Sequence, residues 1–61
     1  MKNRTVFWYV FLEGRAQEHT ESGSAEVSIA LFVDGLRESW TELQERLGVT
    51  VRRVTVEWEG N

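Results

Sequence analysis

Seven apolar or aromatic residues in succession, Val6-Phe7-Trp8-Tyr9-Val10-Phe11-Leu12, lie in a chain where polar residues otherwise interrupt every second or third hydrophobe. Val, Phe, Trp and Tyr favour extended backbone, so the run predicts a strand from Thr5 to about Glu13, ended or bulged at Gly14. Successive side chains of a strand point to opposite faces. Val6, Trp8, Val10 and Leu12 then share one face, and Phe7, Tyr9 and Phe11 share the other. Both are apolar, and such a strand is normally central and covered above and below.

The pattern downstream predicts three more elements. Arg15 to Ser24 is polar, with Ser22-Gly23-Ser24 read as a turn; residues 15–20 either continue a long hairpin or form a loop, and the small size of the domain favours the hairpin. Ala25 to Val33 alternates as a second strand, with Ala25, Val27, Ile29, Leu31 and Val33 on one face and Glu26, Ser28, Ala30 and Phe32 on the other. Asp34-Gly35 breaks it. Leu36, Trp40, Leu43 and Leu47 then fall at i, i+4, i+7 and i+11, a single stripe of helical period. Asp34 can cap that helix, or Ser39 with Glu42 can form a capping box if it starts later. Glu42 and Arg46 have the spacing of an i,i+4 ion pair, and Gly48 sits where a left-handed cap is expected. Val49 to Trp58 is the last strand, with a change of phase at Arg52-Arg53; Val49 and Val51 are expected to pack under the helix end, with the strand proper, or a bulge, starting at Arg52.

The order β-β-α-β implies an α+β domain, a three-stranded and mainly antiparallel sheet with one helix packed on one face. A right-handed crossover would make the second and third strands parallel. The doubly apolar first strand belongs in the middle, giving spatial order 2-1-3, because edges are usually blunted with charge. The helix is expected to cover Val6, Trp8, Val10 and Leu12 together with Ala25, Val27, Ile29, Leu31 and Val33 of the second strand and Val54, Val56 and Trp58. The opposite face would carry Phe7, Tyr9, Phe11, Ala30 and Phe32, rimmed by Arg53, Thr55 and Glu57. A patch of that kind exceeds what a soluble monomer usually exposes.

Length sharpens this. Sixty-one residues make one small domain, which buries only about 60% of its unfolded surface; chains of this size add disulfides, a metal or a partner subunit. The chain has no Cys and one His, which removes disulfides and thiolate zinc sites and disfavours a structural metal. A partner subunit is what remains. The net charge of −3 argues against a general binder of nucleic acid or anionic membrane, and would suit a second protein with a basic surface. The apolar run is too short to span a bilayer as a helix, which needs about 20 residues. No cleavage site follows it as in a signal peptide, so a cytoplasmic location is expected.

Candidate chemistry is sparse. The ten acidic residues are scattered, and no pair sits in an apolar setting that would split two pKa values. His19 is flanked by Glu18, Thr20 and Glu21 and has no nucleophile in a defined relation to it, so no enzyme and no cofactor is expected. The expected function is homo-oligomeric interaction through Phe7, Tyr9, Phe11, Ala30, Phe32, Arg53 and Thr55. The alternative keeps the same aromatic face but gives it single-stranded nucleic acid or a flavin-like planar ligand, with Tyr9, Arg52 and Arg53 as contacts. One helix against a three-stranded sheet resembles the architecture of the flavin-storing dodecins, whose order is β-α-β-β.

Overall fold

The apolar run forms the middle of β1, Lys2–Leu12, in a computed structural model that describes residues 2–60. Met1 and Asn61, read from sequence as part of the polar start and the tail, lie outside the described residues. β1 turns back through Glu13 and Gly14, both at positive φ (54° and 77°), into the two-residue β2, Arg15–Ala16. Two consecutive positive φ values are what a tight antiparallel hairpin requires. A 3-10 turn, Glu18–Thr20, leads to α1, Ala25–Val33, then α2, Trp40–Leu47, and finally β3, Thr50–Glu59. The fold is α+β, with an antiparallel sheet in the order β2-β1-β3.

The order 2-1-3 is as expected, but the residues filling the second place are Arg15–Ala16 rather than Ala25–Val33. Residues 15–16 do continue the hairpin, with Phe11 opposite Ala16 and Leu12 opposite Arg15. The chain then stays beside β1 in less regular form. Gln17 N donates to Val10 O at 2.8 Å, and Trp8 and Ser22 exchange two backbone hydrogen bonds of 2.7 and 3.0 Å.

Ala25–Val33 is helical, which removes the expected parallel crossover. Ser24 caps it by accepting a hydrogen bond from Val27 N at 3.2 Å, and the chain leaves it through Asp34 and Gly35, whose φ is 77°. Ala25, Ser28, Ile29, Phe32 and Val33 are the sheltered positions, whereas Glu26, Val27, Ala30 and Leu31 are exposed. That is an i, i+3, i+4, i+7, i+8 stripe with a serine at its centre.

α2 begins at Trp40. Its capping box is complete, with Ser39 Oγ accepting from Glu42 N at 3.2 Å and Glu42 Oε1 accepting from Ser39 N at 3.1 Å. Because Glu42 is engaged there, Arg46 pairs instead with Glu38, at 2.5 and 2.8 Å. That pairing holds the Glu38 carboxyl below its ordinary pKa and raises that of Arg46. Gly48 closes the helix in the left-handed conformation, φ 67°, donating its N–H to Gln44 O at 2.9 Å.

The fully buried hydrophobic core comprises Val10, Leu43 and Val49, with Leu12, Phe32, Val33 and Trp40 packed around it. Beyond this knot the β1–β3 ladder continues unroofed, and the molecule measures 45 × 19 × 13 Å. Its radius of gyration is 13.3 Å, against about 10.5 Å for a compact chain of this length.

Candidate interaction surface

Partners directly opposite in an antiparallel ladder share a face. The ladder pairs Asn3 with Trp58, Thr5 with Val56, Phe7 with Val54, Tyr9 with Arg52 and Phe11 with Thr50. Phe7, Tyr9 and Phe11 therefore lie with Val54, Val56 and Trp58 on one face. Val10 and Leu12 carry the hydrophobic core on the other, together with Phe32, Val33 and Trp40 from the helical half. The pairing is continuous from Phe11–Thr50 to Lys2–Glu59, so no bulge interrupts it at Arg52-Arg53. The change of phase arises because Val49 faces the core while Val54, Val56 and Trp58 face away.

This register corrects five of the expected surface residues. Arg53 is opposite Trp8, Thr55 opposite Val6 and Glu57 opposite Arg4, which places all three on the helix-bearing face. Ala30 and Phe32 belong to α1; Phe32 stacks on His19 (centroids 6.2 Å) and meets Trp40 edge-on (6.2 Å), inside the core periphery. Val54, Val56 and Trp58 share a parity as expected, but they lie on the face away from the helices rather than beneath the helix, where the pattern placed them. Which face that parity takes depends on the offset between β1 and β3, which no local pattern encodes.

The resulting surface is more apolar than expected. Trp58 is 48% exposed and Val56 36%, while Phe7, Tyr9, Phe11 and Val54 are part-exposed. Arg52 crosses the face with its guanidinium carbon 5.2 Å from the Phe11 centroid, a cation–π distance. Tyr9 donates its hydroxyl proton to Glu21 Oε2. That hydrogen bond to a carboxylate raises the phenol above its ordinary pKa of 10.0, with some help from desolvation and the nearby negative charges. On the other face beyond the helices, Val6 is 41% exposed and Arg4 stands 3.9 Å from Glu57, a solvated pair of little energetic weight.

Hydroxyl groups near β1 serve the backbone. Ser28 Oγ donates to Trp8 O at 2.8 Å, Thr20 Oγ1 accepts from Val10 N at 2.9 Å, and Ser22 Oγ donates to Ser24 O at 2.6 Å. Among the described residues no group of His, Cys, Asp or Glu could hold a metal ion, and no helix is long and apolar enough to cross a membrane. No family model, curated protein or solved structure matches the chain.

Proposed function

We propose that the chain is a small non-enzymatic module that associates with copies of itself through the aromatic sheet face, in the cytoplasm. The observation that carries this reading is that part-exposed Phe7, Tyr9 and Phe11 share a face with exposed Val56 and Trp58, away from the packed core. Area supports it. The accessible surface is 4727 Å² for a chain of 7.1 kDa, about 600 Å² more than a globular monomer of that mass exposes. A standard interface takes about 800 Å² from each partner. Tyr and Trp suit such a surface because each joins an apolar ring to a polar tip.

Phe11→Glu places a charge in the centre of this face. The expected outcome is a smaller assembly for the variant than for the parent, measured by light scattering at matched concentration. A parent that is monomeric at micromolar concentration would remove the reading. A planar-ligand or single-stranded nucleic-acid site on the same face draws support from Arg52 beside Tyr9 and Phe11, although Arg53 lies on the opposite side. Tryptophan fluorescence that responds to a flavin or a short single-stranded RNA, together with a monomeric parent, would favour that alternative.

A further inference from the structure

We propose that the open edge of β3 pairs antiparallel with β3 of a second copy, Thr55 opposite its own counterpart, to make one continuous sheet across a two-fold axis. This shares with the face reading only the identity of the partner; the contact itself is a different surface. β3 stands at the end of the strand order β2-β1-β3. Among the described residues no backbone hydrogen bond joins its outer edge to another segment.

Which groups the edge offers follows from β1. Trp8 uses its N–H and C=O towards Ser22, and Val10 uses its own towards Thr20 Oγ1 and Gln17. Even-numbered residues of β1 thus point their backbone groups at the β2 side, and odd-numbered ones bond to β3. Their partners in β3 are the even-numbered residues. Val51, Arg53, Thr55, Glu57 and Glu59 consequently present N–H and C=O outward. The chain contains no Pro, and β3 has no bulge, two of the usual devices that blunt an edge.

Charge selects the register. A two-fold at Thr55 puts Arg53 opposite the partner's Glu57, Arg52 opposite the partner's Trp58, Val54 opposite the partner's Val56, and Val51 opposite the partner's Glu59. Ion pair, cation–π pair and β-branched pair are each favourable across strands. All five outward-facing residues find partners, for about ten backbone hydrogen bonds. A two-fold at Arg53 or Glu57 would set like charges face to face. One at Val54 leaves both arginines without an acidic partner, and one at Val56 shortens the overlap and separates Arg52 from Trp58. The other free edge, along the Lys2, Arg4 and Val6 end of β1, carries two cations that would repel their copies. Pairing through β3 also joins the two aromatic faces into one surface.

The test exploits the absence of cysteine. In the proposed register Thr55→Cys brings two thiols onto Cα atoms about 5.5 Å apart, within disulfide range, whereas Glu59→Cys leaves its copies about 27 Å apart. Mild oxidation is expected to give a covalent dimer of the first and not of the second. Arg53→Glu and Glu57→Arg should each weaken self-association about tenfold or more, and mixing the two variants should restore it as a heterodimer. An oligomer by light scattering in which Thr55→Cys fails to cross-link, or in which the mixture regains nothing, overturns the edge pairing and leaves the face reading intact. Cross-linking that persists in Phe11→Glu at undiminished dimer mass supports the edge and removes the face reading instead.

Discussion

Thr20 offers the sharpest test of how the core is held. Its side chain is fully buried, at 0% exposure. Its hydroxyl donates to Gln17 O at 2.5 Å and accepts from Val10 N at 2.9 Å. Val10 is itself at 0% exposure, in the centre of the core. Thr20→Val keeps the shape and removes both bonds. Gln17 O retains a partner, because it also accepts from Thr20 N at 2.9 Å, so the loss falls on the Val10 N–H. A buried donor left unpaired costs about 1–3 kcal/mol. Thr20→Ser preserves the bonds and removes one methyl, about 0.8 kcal/mol. A domain of this length has on the order of 3–9 kcal/mol in total, so the valine variant should lose a measurable share of its stability. Urea titration at one fixed protein concentration, chosen because association would shift the midpoint, should rank parent above serine above valine. A valine variant as stable as the serine one would refute the role given to this hydroxyl.

Leu43→Ala should cost about 2–5 kcal/mol, because Leu43 is 1% exposed, whereas Leu47→Ala on the same helical stripe, at 37% exposure, should cost less than about 1 kcal/mol; equal losses in the same titration would contradict the placement of α2. Tyr9 has a native pKa raised above 10.0 by its hydrogen bond to Glu21, so the stabilisation from that bond is complete below the unfolded value and is lost as pH rises through the native one. Glu21→Gln should bring the phenol titration, followed by ultraviolet absorbance, back towards 10.0; an unchanged midpoint would show that the pair does not form.

Much of this arrangement was legible from local pattern. β1, α2 with its Ser39–Glu42 box, the Gly48 terminus and the extent of β3 each rest on short-range chemistry that a single chain displays. Ala25–Val33 defeated the pattern for a physical reason. Val27 and Leu31 decorate its solvent side while Ser28 occupies the centre of its buried side, so hydrophobes alternate along a segment whose shelter is helical. Ser28 is buried to reach Trp8 O, a need created by a strand twenty residues away in sequence. The face shared by Phe7 and Val54 was hidden for a similar reason, since it depends on the offset of two distant strands. Ser24 as a cap before Ala25 is the available signal for the helix, and Ser22-Gly23-Ser24 masks it by fitting a turn equally well.

The slender outline of the molecule separates it into two regimes of local opening. Around Val10, releasing an amide means dismantling the packed knot, so its exchange with solvent deuterium waits for global unfolding. At the far end, where Lys2 faces Glu59 and Thr5 faces Val56, the ladder can unzip without disturbing Leu43 or Val49. A lone chain should therefore fray from its paired tips inward, and whatever docks along that end would act as a clasp.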